Sequence, residues 1–182
     1  MVFTHDTEES LQAAVALVNA GEPPVTIVTV GDLDAFYVRH TYTGRHDRTQ
    51  VELDEVLGLQ PRLRELLTAD RDSAAGLVND MLATAGAVPQ LVRHPPQDWH
   101  IHAAPADAPF ATRILVETAM AMIDVIREDE LSRLAVCADS DCAGIVLDLS
   151  RNRSRRYCST TCSNRNAQAA HRARRADQPS TA

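Results

Sequence analysis

The chain has 182 residues, 45% of them apolar and 24% charged, with a formal net charge of −7, enough for one medium domain and a small appended module. This composition excludes disorder over most of the length. No apolar segment approaches the roughly 20 residues that cross a bilayer, and MVFTHDTEESLQ has neither the basic start nor the apolar run of a signal peptide, so a cytoplasmic protein is expected.

Residues 6–20 read as a helix with Leu11, Ala14, Val15 and Val18 on one side, ended by Gly21 and the Pro23-Pro24 pair. VTIVTV at 25–30 alternates as a short β run, and Asp32 is placed to cap a helix through DLDAFYVRH. Residues 41–50 read as a loop. A helical pattern covers 51–70, where Pro61 either kinks the helix or starts a new one, and another covers 72–86 up to Gly86. QLVRH at 90–94, the turn PPQD and WHIHA at 99–103 form a hairpin pattern. The longest helix is expected from about Phe110 to Leu134, with Ile114, Leu115, Ala119, Met122, Ile123 and Ile126 facing a core. The body, residues 1–133, is therefore mainly helical with minor β structure.

All four cysteines of the chain lie between residues 137 and 162, as Cys137-x4-Cys142, fifteen residues, then Cys158-x3-Cys162. Two close pairs joined by a short loop suit a tetrahedral zinc ion, and four thiolates leave no position for water, which makes the metal structural. Two disulfides or four unrelated cysteines are the alternatives, and nothing in the chain points to an oxidising compartment. Ile145, Leu147 and Leu149 alternate with Val146 and Asp148 as in a short strand, and Tyr157 is placed to begin a return strand. Ser159, Thr160 and Thr161 are N-cap types ahead of the helical run NRNAQAAHRARR, whose positive end favours thiolates. Knuckle, small hairpin and ligand-bearing helix make a treble-clef-like module over residues 134–176, followed by a frayed tail at 177–182.

The run DLSRNRSRRYCSTTCSNR resembles the CGNR-type zinc finger of bacterial proteins. In that family the finger follows an N-terminal ABATE domain, which implies a stress-induced transcription regulator that binds DNA. One departure is visible. Ser163 stands where the family signature has glycine after the last cysteine.

Charge divides along the chain. Residues 1–150 carry 10 arginines against 24 acids, a balance of −14, whereas residues 151–182 carry 8 arginines against Asp177 alone, a balance of +7. All the basic residues are arginine, so guanidinium groups would do the anion binding. An extended chain over Ser150-Arg151-Asn152-Arg153-Ser154-Arg155-Arg156 would put Arg151, Arg153 and Arg155 on one face, each able to grip a phosphate with two hydrogen bonds. In the helix, Arg165, Gln168, Arg172 and Arg175 form one stripe flanked by Asn164 and His171, while Ala169, Ala170 and Ala173 give a smooth side expected to pack on the hairpin. Such a helix fits the major groove. The alternative is a solvated arginine face, or arginines held by carboxylates of the acidic body.

His100 and His102 share one face of their strand, with His94 across the hairpin, and are candidates for an effector or second metal site; the polar side of a half-buried strand gives the same pattern. His40 and His46 could join them. There is no Gly-rich phosphate loop, nucleophile elbow or HExxH, so no enzymatic activity is expected. The sequence reads as a zinc-dependent DNA-binding regulator whose acidic body senses a small-molecule or protein effector, forms a homodimer, or competes with DNA for the finger. The alternative is a zinc-stabilised adaptor that docks on another protein.

Overall fold

The computed structural model describes residues 2–93 and 98–176. His94, Pro95, Pro96, Gln97 and the tail at 177–182 fall outside the described residues, and with them those parts of the hairpin and tail expectations. Seven helices and two separate two-stranded antiparallel sheets are formed among the described residues, so the chain is mainly α, about 55% helical.

Helix α1 spans His5–Ala20 and buries Leu11, Ala14, Leu17 and Val18. The run after it is not a strand. Ile27 is buried while Val25 and Val28 stay exposed, but among the described residues no second strand pairs with the run, and the alternation serves to pin an extended connection to the core. Helix α2 begins at Val30 and ends at Arg39; its cap is Thr29, not Asp32. The Thr29 hydroxyl accepts the Asp32 N–H at 3.2 Å, and the Asp32 carboxylate accepts the Thr29 N–H at 2.9 Å, a reciprocal box that settles where the β-like valines turn helical. The 51–70 pattern divides into α3, Gln50–Leu57, and α4, Gln60–Thr68, with Gly58 at the break and Pro61 in the first turn of α4, where its missing N–H costs nothing. Asp70 caps α5, Arg71–Thr84.

Strands β1, Gln90–Val92, and β2, His100–His102, pair with Leu91 opposite Ile101. Helix α6, Phe110–Arg127, packs on α1 and α5 and carries Ile114, Ala119 and Met122 into the centre of the core. It stops seven residues before the expected end; Ile123 and Ile126 pack against the core as expected, partly buried, and Val125 is fully buried beside them. A 3-10 turn over Leu131–Arg133 then leads into β3, Leu134–Val136.

Two buried polar knots fix the connections. His46, stacked on Tyr37, has its Nδ1 2.8 Å from Glu52 and its Nε2 3.0 Å from Asp34; Glu52 also accepts the Asp47 and Arg48 N–H groups. Both ring nitrogens of His46 are therefore engaged, and it does not join the other histidines. Arg113, buried on α6, donates to the carbonyls of Thr43, Arg45 and Ala108 and clamps the 41–49 loop to the helix.

Glu117 lies one turn further along α6 with no hydrogen bond. Burial pushes its carboxyl up to about 7 against the partial relief of the Arg113 charge. A carboxyl raised in the folded state favours folding most below its unfolded value of 4.5, and that contribution is lost as pH rises through about 7. Because Glu117 keeps some solvent, the loss is on the order of 2 kcal/mol. Glu117→Gln should therefore raise stability over the parent by about that amount at pH 8 and leave it nearly unchanged at pH 5, as read by urea denaturation at both pH values.

Candidate metal centre and basic edge

Strand β3 pairs antiparallel with β4, Ile145–Leu147, in the register Leu134↔Leu147, Ala135↔Val146 and Val136↔Ile145. The partner of β4 is thus the segment upstream of the cysteines, not Tyr157. Leu134 continues directly from the 3-10 turn, so the hairpin encloses the Cys137–Cys142 knuckle between its strands. Leu134, Ile145 and Leu147 belong to the same hydrophobic core as the helices. Asn19 at the end of α1 also holds β4 from both sides, its amide donating to the Ile145 carbonyl at 2.8 Å and accepting the Ile145 N–H at 2.6 Å. The finger is docked, not tethered.

At the tip of this hairpin the four sulfurs of Cys137, Cys142, Cys158 and Cys162 lie within 4.8 Å of one another. The Cys142–Cys158 and Cys158–Cys162 separations are 3.5 and 3.8 Å. Four sulfurs at tetrahedral corners, each about 2.3 Å from zinc, stand about 3.8 Å apart, so the donor set fits such an ion. Each ligand is placed by ordinary backbone bonding. The Cys137 N–H donates to the Gly144 carbonyl at 2.7 Å, the Cys142 N–H to the Asp139 carbonyl, and Cys162 sits in the first turn of helix α7, Thr160–Ala176, with its N–H on the Ser159 hydroxyl. The Ser159 hydroxyl also draws the Cys162 thiol below its usual range, whereas burial and the neighbouring thiols push Cys158 far up. Backbone N–H groups from Gly144 and Cys158 point at the sulfurs of Cys142 and Cys137, the stabilisation that metal-bound thiolates need.

Gly144 is a site residue that the sequence expectations do not include. A β-carbon there would lie 2.9 Å from the Cys158 sulfur and 3.3 Å from that of Cys142, and neither sulfur can yield without leaving the tetrahedron. The signal in the sequence is a glycine two residues after the second cysteine, where the knuckle closes. Gly144→Ala should weaken zinc binding about 10–100-fold in a chelator competition, while the helical body is unaffected.

The arginines are not equivalent. The chain turns at 151–152 and Arg153 takes a left-handed φ of 47°, so the expected alternating face is broken. Arg153 reaches back to Glu130 and Ser132, and Arg155 folds onto the carbonyls of Tyr157 and Cys158. Buried Asp148 organises the turn by accepting the N–H groups of Ser150 and Arg155, and buried Arg133 closes it from below through Glu130 and the carbonyls of Asp148 and Ser150. Arg165 lies 2.9 Å from the buried Asp139 carboxylate, an ion pair whose angle falls short of a hydrogen bond, and also leans on the Cys162 sulfur. Arg153, Arg155 and Arg165 are struts.

Arg151, Asn152 and Arg156 remain exposed beside the metal centre, with Arg156 over the Tyr157 ring. From Ala167 onward every side chain described on α7 is exposed, including Gln168, Ala169, Ala170, His171, Arg172, Arg174 and Arg175. Ala169 and Ala170 therefore do not pack on the hairpin, and the Ala173 side chain lies outside the described residues. Beyond Asn166 helix α7 projects from the metal centre with no cover among the described residues, and with Asn164 also exposed the polar stripe survives except for its first member, Arg165. Among the described residues, Arg151, Arg156, Arg172, Arg174 and Arg175 make no ion pair. Ser163, where the resemblance has glycine, is exposed in the first turn of α7.

Residues 133–175 match the CGNR zinc finger family, and residues 11–129 match ABATE, described as a putative stress-induced transcription regulator. The chain belongs to the ABATE family. Its order of parts, an ABATE domain followed by a CGNR zinc finger, is the one the sequence resemblance implied. No curated protein matches the chain. Within this ABATE protein the effector candidates lie far from the finger in sequence: His100 and His102 stand with their Nε2 atoms 2.8 Å apart on β2, and no helix of the described residues is long and apolar enough to cross a membrane.

Proposed function

We infer that this ABATE protein is a transcription regulator that binds duplex DNA through its finger, with one structural zinc ion held by Cys137, Cys142, Cys158 and Cys162. The observation that carries the reading is the division among the arginines. Three are tied into the architecture, while Arg151 and Arg156 before the helix and Arg172, Arg174 and Arg175 on it make no ion pair among the described residues. A bare helix about 25 Å long suits a major groove, where Asn164, Gln168 and His171 would reach base edges and the arginines phosphates. Zinc holds the Arg151–Arg156 turn and the helix at a fixed angle to each other. Asn152 flanks the same edge.

The acidic body gives this edge its direction. Among the described residues it pairs with the finger's arginines at Arg153 alone, through Glu130, so the finger is partly restrained while the arginines proposed to meet DNA make no ion pair with it. No catalytic role is assigned. Because one finger offers limited contact area, a homodimer through the body would supply a second half-site. The adaptor reading has one observation in its favour, the uncovered alanine side of α7 at Ala167 and Ala170, which a partner protein could cover.

Selection from a random pool of duplex DNA with the zinc-loaded full-length protein separates the two. Enrichment of a defined sequence supports regulation by direct DNA binding. A pool that is never retained, at low salt and with zinc present, contradicts it and favours the adaptor.

A further inference from the structure

A cleft of about 850 Å³ opens in the body, between the N-terminal half of α1, the turn after α2, helix α6 and the β1–β2 hairpin. This volume is in the range that small-molecule sites occupy. Its floor is acidic. Glu9 comes from α1 and Glu117 and Asp124 from α6, and no arginine lines it. Its walls are aromatic and aliphatic: Tyr42 beneath, Trp99 and Ile101 from the hairpin. Trp99 and Ile101 are 64% and 48% exposed, unusual for large apolar residues and suited to covering an apolar guest.

Two polar groups in the cleft lack partners that the fold could have supplied. The His40 Nε2 is buried with no hydrogen bond, and the Glu117 carboxyl is not bonded to any described residue. Asp124, by contrast, is held by the Thr7 hydroxyl at 2.6 Å. The remaining histidines of the cleft are occupied: His5 Nε2 lies 3.3 Å from one oxygen of the Glu9 carboxylate, while His100 Nε2 lies 2.8 Å from that of His102 and its Nδ1 2.7 Å from the Asp98 carbonyl. Among the described residues, the four cysteines form the one group of three or more donors close enough to share an ion, so the cleft is shaped for an organic guest more than for a metal.

We propose that this cleft is a ligand site for an organic cation with an aromatic or apolar body, its charge set against Glu117 and Glu9 and its body against Trp99 and Tyr42. Carboxylates without arginine select positive charge and reject anions. Aromatic faces add attraction for a cation that has already lost its water. The inference stands on the body alone and does not depend on DNA binding.

Trp99 is the single tryptophan of the chain and reports directly on the cleft. The test titrates the zinc-loaded full-length protein at pH 8 with 4-phenylbutylammonium, 4-phenylbutanol and 4-phenylbutyrate, three probes of similar size that differ in charge, and reads the tryptophan emission. Saturable binding of the ammonium is expected, with the alcohol and the carboxylate weaker by about tenfold or more, and with Glu117→Gln and Glu9→Gln each weakening the ammonium about tenfold. Glu117→Gln is expected to be more stable than the parent at the pH 8 of the titration, so its loss of binding cannot be charged to unfolding. No saturable change with the ammonium, equal affinity for all three probes, or full affinity in both variants would each overturn the proposal.

Discussion

Cys158→Ser is expected to empty the metal site and unfold the outer half of the finger, leaving the helical body standing. Cys158 is the hub of the cluster, 3.5 Å from Cys142 and 3.8 Å from Cys162, with its own N–H on the Cys137 sulfur. Structural zinc supplies about 10–16 kcal/mol to small finger peptides, far more than the few apolar contacts around Cys137, Val146 and Cys162 can replace. Helix α7, whose described side chains beyond Asn166 are all exposed, should melt, and the far-UV helical signal should fall by roughly a fifth, its share of the helical residues. The β3–β4 hairpin behaves differently, because Leu134, Ile145 and Leu147 are held by the main core and Asn19. The remaining thermal transition should drop by only about 2–4 °C, equivalent to about 1 kcal/mol. A zinc-free variant with α7 intact, or one that unfolds throughout, would contradict this division.

The second large effect concerns the exposed arginines. Replacing Arg172, Arg174 and Arg175 together by alanine should weaken duplex DNA binding on the order of 10²-fold or more near 0.1 M salt, since each phosphate contact releases about one counterion. Zinc content should not change, because none of the three touches the metal centre. Arg153→Ala is the informative control. Its guanidinium bonds to Glu130 and Ser132, so its loss should loosen the turn and cost stability while changing DNA affinity little. If Arg153→Ala and the triple variant weaken DNA equally, the division into struts and contacts is mistaken.

Cysteine spacing makes the metal centre legible from sequence, because four ligands in two tight pairs leave few alternatives. The long apolar stripe of α6 and the helix of α1 are equally plain. What periodicity does not reveal is partnership. VTIVTV alternates like a strand, yet no edge lies beside it, and the Thr29–Asp32 box converts its end to helix. LAV at 134–136 reads as the last turn of α6 or a linker; it is a strand because β4 returns beside it. For the arginines, sequence shows the charge but not the acid facing it: Glu130 and Asp139 are remote or buried carboxylates whose pairing depends on the folded chain. The three-arginine face fails for a local reason, the left-handed backbone at Arg153. The cleft is invisible in the sequence because its walls come from α1, α6 and the hairpin, brought together only by packing.

The most direct test of the central account is the salt dependence of duplex DNA binding by the full-length protein, followed by fluorescence anisotropy with zinc and with a chelator. The five finger arginines that make no ion pair among the described residues predict that log affinity falls with log salt at a slope of about −4.5, and that the chelator abolishes this binding at every salt concentration. Binding that ignores salt, or that survives complete removal of zinc, would show that the metal-held basic edge is not what meets DNA.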